Sequence, residues 1–207
     1  MPYRTLTVAR EYGSGGAEIA GLAAQRLGWK LLDRNLIDKI ARRAGVELEV
    51  ARACDEHVDS WLHRISKPLW QGDVAAVATL SPVDVFDAES MARQTREVIE
   101  EASAAGNCVI VGRGGQCVLR GRADAFHAFV YAPWESRVER IRERLRTEAR
   151  VERVERLIRE KDAERAAYVR MYFGRDWTDR ELYDLMLNSR TGCEAAASLI
   201  LRAMEAV

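Results

Sequence analysis

A chain of 207 residues can bury one sizeable core, or one core with a small appended lobe, but not two independent domains of ordinary size. Its 32 Lys and Arg are balanced by 32 Asp and Glu, which excludes a surface given over wholly to nucleic acid or anionic membrane, so any basic site must be local. The longest apolar runs span only a few residues and the N-terminus has no apolar signal core, so neither a spanning helix nor secretion is expected and a soluble cytoplasmic protein is the default.

In chain order, the first predicted element is a strand over residues 5–9, which runs into Arg10-Glu11-Tyr12-Gly13-Ser14-Gly15-Gly16. Ile19, Leu22, Ala23 and Leu27 then recur at helical spacing up to Gly28. A strand, a glycine loop and a helix start make an anion cradle, because glycines let consecutive backbone N–H groups converge at the positive end of the helix. Ala17 and Glu18 stand where a phosphate loop carries its lysine and hydroxyl residue, so the shape is kept with altered chemistry. Trp29–Asp33 reads as a short strand that delivers Asp33 and Arg34 to its carboxyl edge. Asp33 could equally cap the helix predicted over Asn35–Ala44.

Residues 46–90 are predicted to form helical pieces around Glu47–Ala53 and His57–Ile65, followed by a connection punctuated by Pro68, Gly72 and Pro82. Trp61, Leu62, Ile65, Leu69 and Trp70 make this segment too apolar for a free linker, and they offer a surface for a homodimer. A helix over Glu89–Ala105 stops at Gly106. Cys108–Val111 is the unbroken apolar run of a strand buried on both faces, and it ends in a second glycine turn, Gly112-Arg113-Gly114-Gly115. A guanidinium held there calls for an anion or a carboxylate, Asp33 and Glu11 being the internal candidates.

Ala128–Ala132 reads as a further strand, and Arg137–Arg170 as a charged helix or helix pair in which Lys161 and Arg165 share a face and Asp162 can orient Arg165. Tyr168, Arg170, Tyr172, Gly174 and Arg175 predict a basic helix end. A strand over Tyr183–Ser189 and a helix over Cys193–Met204 close the chain. Cys54, Cys108, Cys117 and Cys193 are scattered, and His57, His63 and His127 lack partners at ligand spacing, so no metal site or disulfide is predicted.

Alternating strands and helices of these lengths imply right-handed βαβ units in a doubly wound parallel sheet, whose ligands bind at the carboxyl ends of the strands. Phosphoryl transfer needs an anion cradle, several cations and a closing lid. The Gly13–Gly16 loop, Arg113, and Lys161, Arg165, Arg170 and Arg175 supply candidates for each.

At this combination the sequence resembles the cytidylate kinase-like family, a branch of the nucleoside monophosphate kinases with the P-loop fold. The resemblance is carried by Ala9–Gly16 with Glu18-Ile19-Ala20, by Leu32-Asp33-Arg34-Asn35-Leu36-Ile37, and by Val109–Gly115. It continues through Val130-Tyr131-Ala132-Pro133 with Arg137, Lys161-Asp162-Ala163-Glu164-Arg165, and Tyr183-Asp184-Leu185 with Asn188-Ser189.

The resemblance implies an α/β, three-layer doubly wound parallel sheet with P-loop kinase topology, its core at 1–45 and 89–207. A helical insert at about 46–88 would cover the monophosphate and a helical lid would span about 146–178. It implies transfer from ATP, with Mg²⁺, to a nucleoside monophosphate such as CMP or dCMP, with no nucleic acid or membrane partner. Gly13, Ser14, Gly15 and Gly16 would hold donor phosphate, with Arg10 or the lid supplying the cation missing at Ala17. Asp33, Arg34 and Arg113 would face the acceptor, and Lys161, Asp162 and Arg165 would form the lid's catalytic group. Two departures, Ala17-Glu18-Ile19-Ala20 for the family's Gly-Lys-Gly-Thr and Gly114 for an aspartate, leave open a sensor that binds nucleotide or another anion without transfer. A partner-binding protein built on the 46–90 lobe is the third option.

Overall fold

The computed structural model describes residues 2–33, 82–145 and 150–206. Arg34, the helices predicted over Asn35–Ala44, Glu47–Ala53 and His57–Ile65, and Cys54, His57, His63, Trp61 and Trp70 lie outside the described residues.

The elements are β1 (Thr5–Arg10), α1 (Gly16–Leu27), β2 (Lys30–Leu32), α2 (Pro82–Ala105), β3 (Cys108–Val111) and α3 (Gly115–Val118). They continue with β4 (Ala125–Tyr131), α4 (Trp134–Leu145), α5 (Val151–Phe173), β5 (Leu185–Asn188) and α6 (Cys193–Glu205). All strand pairs among the described residues are parallel, in the order β2-β3-β1-β4-β5. The predicted doubly wound parallel sheet is therefore the observed one.

Strand alternation divides the core between two faces. Leu6, Val8, Val109, Val111, Phe126, Ala128 and Val130 point to one side, where Ile19, Ala20 and Ala23 of α1 meet Ala196, Ala197 and Ile200 of α6. The other side takes Cys108 and Ile110 against Val98, Ile99 and Ala102 of α2, and Ala9 and Phe129 against Val169 of α5 and Trp177. A smaller cluster of Val138, Ile141, Val154 and Ile158 joins α4 to α5. At about 25 cal/mol per Å² of apolar area, the two sheet faces are the main source of stability.

Several boundaries move. The α2 helix starts at Pro82 rather than Glu89, since a proline at the first helical position costs no hydrogen bond. The residues at 82–88 thus belong to the same helix as 89–105. The β4 strand starts at Ala125 rather than Ala128. His127 interrupts the apolar run, yet it is buried, with its Nδ1 2.7 Å from Thr7 Oγ1 and its backbone N–H donating to Asp184 Oδ2 at 2.7 Å. The charged stretch after Arg137 resolves into the separate helices α4 and α5. Cys108, Cys117 and Cys193 are free, and no helix among the described residues is long and apolar enough to cross a membrane.

Candidate active site

One cleft of about 340 Å³ lies at the carboxyl ends of the neighbouring strands β1 and β3, with Arg10 and Tyr12 of the first turn and Gly112, Arg113 and Gly114 of the second in its lining; Gly13, Ser14, Gly15 and Gly16 are not among the lining residues. Arg10, Asp33, Arg113, Lys161, Glu164 and Arg165 line it, together with the walls made by Tyr12, Tyr168 and Trp177. Four cationic side chains thus face two carboxylates. The structure brings Asp33 at the end of β2, Arg113 after β3, and Lys161 and Arg165 of α5 to the same space, as the sequence pattern requires.

In the first turn, Gly13 and Gly15 adopt φ of 85° and 81°, a region open to glycine with little cost. The α1 helix begins at Gly16 with Gly15 as its cap, leaving first-turn N–H groups without intrahelical acceptors. Ser14 is turned inward: its N–H and its hydroxyl donate to the Glu11 carbonyl at 3.3 and 2.9 Å, and its own carbonyl accepts from Ser189 Oγ at 2.5 Å. Ala17 and Glu18 are exposed.

A buried arginine holds this turn in place. Arg137 of α4, 6 % exposed, pairs with Glu11 at 3.2 Å and with Asp162, while its Nε donates to the Tyr12 carbonyl at 2.8 Å. Asp162 Oδ1 accepts from the Tyr12 N–H at 2.7 Å and from Arg165 Nη1 at 3.1 Å. Both backbone groups of Tyr12 are therefore fixed by an ion network that also aims Arg165. Burial raises the Glu11 carboxyl, while the Ala132 N–H and Arg137 pull it back. Arg140 reaches the same turn, donating to the Gly13 carbonyl at 2.6 Å. Arg165 and Arg144 lie over the Tyr12 ring at 5.3 and 5.1 Å.

In the second turn, Arg113 itself takes φ 54°, between Gly112 at 75° and Gly114 at 71°. A non-glycine residue held there costs on the order of 1 kcal/mol and marks a position whose side chain is wanted where it points. A Cβ on Gly112 would strike the Arg10 guanidinium, and one on Gly114 the Phe173 ring. A Cβ on Gly16, in the first turn, would strike the Arg10 Cβ. The stem of Arg10 therefore lies on one glycine turn and its head on the other.

Electrostatics follow from this crowding. Burial, then Arg165, push the Arg10 guanidinium down to about 10, with Asp33 opposing and Arg113 adding to the fall. Burial also lowers Arg165, against the pull of Asp162. Burial raises the Tyr168 phenol, opposed by Arg113 and Arg96. Glu11, one of the two carboxylates considered for Arg113, instead pairs with Arg137. Arg170 and Arg175 do not join the cleft: they pair with Asp176 and Asp179 at 3.8 and 3.6 Å and pin the turn after α5.

Arg137 and Arg140 have no role readable from sequence alone, although Arg137 sits one turn before Ile141 on the buried stripe of α4, and an arginine there signals an internal partner. No group of three His, Cys, Asp or Glu able to hold a metal occurs among the described residues.

A parallel sheet in this order, with phosphate-loop geometry after its central strand and cations gathered at the strand ends, defines the P-loop kinase fold. The chain belongs to the cytidylate kinase-like family, whose model matches residues 5–191. Among solved structures it is similar to an uncharacterized protein from Eubacterium ventriosum, at 17% identity and TM-score 0.69, covering 98% of this chain and 99% of that one. It is also similar to TT1252 from Thermus thermophilus, at 21% identity and TM-score 0.53, covering 99% and 97%. Shikimate kinase from Acinetobacter baumannii shares the fold at 16% identity and TM-score 0.52, covering 99% and 94%. A comparison with curated proteins gave no match.

Proposed function

We propose that the protein transfers a phosphoryl group from ATP to a nucleoside monophosphate, with CMP or dCMP as the acceptor. One observation carries the reading: the guanidinium groups of Arg10, Arg113 and Arg165 crowd into one cleft closely enough to depress Arg10 by mutual repulsion as well as burial. Positive charge gathered at one set of strand ends attracts anions, and two phosphate groups meeting in line would match it.

In this reading the N–H groups at the start of α1 hold the donor phosphates, Arg113 grips the acceptor phosphate, and Arg165 reaches the group in flight. Lys161, held by Glu164 at 2.8 Å, adds charge from the same face of α5, and Asp162 positions Arg165 rather than reacting. Asp33 faces the acceptor, with Arg34 beside it in sequence. The α5 segment serves as part of the lid and the 46–88 segment as the acceptor cover. Mg²⁺ would neutralise charge on the donor phosphates; with the Ser14 hydroxyl turned inward, the ion would arrive on its nucleotide, and Asp33 and Glu164 are the carboxylates facing that space. No covalent intermediate is needed, since positioning and charge neutralisation suffice. We place this activity in the cytoplasm.

A coupled assay with ATP, Mg²⁺ and a panel of CMP, dCMP, UMP, AMP and shikimate tests the proposal. Turnover with CMP or dCMP is expected, and no turnover with any monophosphate would sink it. The exposed Ala17 and the acidic Glu18 in the first turn of α1 favour one other outcome, a sensor. Calorimetry separates the two, because a sensor binds nucleotide with no Mg²⁺-dependent product.

A further inference from the structure

Gln116 stands in the cleft at the start of α3, 1 % exposed, and it was not among the residues that the sequence marked. Its amide orientation is fixed by its neighbours. The Tyr183 hydroxyl donates its one proton to the Trp177 carbonyl at 2.7 Å. The same oxygen can therefore only accept from Gln116, which places the amide nitrogen toward it at 3.3 Å. Burial raises the Tyr183 phenol, so it keeps that proton near neutral pH. The other end of the amide, Oε1, is buried and finds no hydrogen-bond partner among the described residues. An orphaned buried acceptor costs about 1–3 kcal/mol, a penalty removed if a ligand supplies a donor.

The surroundings narrow what that ligand is. The cleft holds the three arginines, the Tyr168 and Trp177 rings and the Val169 side chain, so it suits a molecule with an anionic group and a flat or apolar body. We propose that Gln116 Oε1 is a specificity-determining acceptor that reads a hydrogen-bond donor, a base N–H or a sugar O–H, on the phosphorylated molecule held by Arg10, Arg113 and Arg165. This rests on the phosphate-binding reading above. A ligand that presents a carbonyl at the same point meets two acceptors face to face and is rejected.

Titration calorimetry of the full chain with CMP, UMP and dCMP tests the assignment. Cytosine carries an amine donor where uracil carries a carbonyl acceptor, and dCMP lacks only the 2′-hydroxyl. If a base amine is read, CMP binds at least about tenfold more tightly than UMP; if the hydroxyl is read, CMP outbinds dCMP by a similar factor. Gln116→Met is expected to bring the affected ratio to within about twofold, by weakening CMP and, where the base is read, by relieving the repulsion that rejects UMP. Tyr183→Phe frees the amide to turn and offer its N–H instead, so it is expected to erode the CMP-over-UMP ratio while Gln116 is still present. That variant also serves if Gln116→Met fails to fold. Equal affinity of the wild type for all three nucleotides, or a ratio unmoved by either variant, overturns the assignment and leaves the kinase proposal standing. Failure of the wild type to bind any of the three overturns the kinase proposal itself.

Discussion

The turn after β1 and the turn after β3 have nearly the same composition, yet they present different things. In Gly13–Gly16 the glycines make room for the protein: the Arg137 carbonyl, the Cys193 sulfur and the Arg10 stem lie where Cβ atoms would be. The turn contributes backbone, and its cations come from α4. In Gly112–Gly115 the glycines flank Arg113 and let it hold a left-handed backbone. That turn contributes a side chain. A glycine-rich strand end is thus either a cradle or a pedestal; side chains fill the missing Cβ volume in both turns, and the residue between the glycines, Ser14 turned inward or Arg113 in the cleft, tells which.

Substitutions can break or sharpen this contrast. The largest effect is expected at the pedestal: Arg113→Ala should lower turnover by about a thousandfold, equivalent to about 4 kcal/mol, with a melting temperature close to wild type. Retained turnover would show that the pedestal carries nothing. At the cradle, Gly16→Ala should cost about 3 kcal/mol in urea unfolding, because the new methyl meets the immobile Arg10 Cβ. An unmoved midpoint would mean that the cradle has slack.

Ser14→Ala should lose about 1 kcal/mol of stability by removing one of the two hydrogen bonds to the Glu11 carbonyl, with turnover within about threefold of wild type. A large loss of turnover would instead put the hydroxyl on phosphate. The smallest effect lies in the sheet under both turns, at His127, which burial holds below its ordinary 6.5. Below pH 6.5 the unfolded chain takes up a proton that the folded one resists, so stability falls as pH drops from about 6.5 toward the depressed value. Denaturant melts of His127→Gln at pH 7 and pH 5.5 should show a weaker dependence, by less than about 1 kcal/mol. An identical slope would assign the dependence to other groups.

Much of the architecture was legible because the sheet is buried on both faces. Cys108–Val111 could hardly be anything but a strand, and the pairing of Asp162 with Arg165 one turn later follows from helical spacing. What sequence could not display was the ionic scaffold. Arg137 meets Glu11 and Asp162 across 126 and 25 positions of chain, so its place on the apolar stripe of α4 signals an internal partner without naming it. Gln116 was hidden in the same way, its significance depending on a proton that Tyr183 gives elsewhere. Arg170 and Arg175 misled for the opposite reason: a basic helix end looks like a lid, but Asp176 and Asp179 had already claimed both charges.

Arg10 acts as a ruler. With its stem on Gly16 and its guanidinium on Gly112, one side chain spans the gap between the two turns, a gap fixed by the pairing of β1 with β3 and by the Gly112 N–H donating to the Val8 carbonyl at 3.1 Å. Shortening it, as in Arg10→Lys, would withdraw the contact at Gly112 while leaving every strand in register.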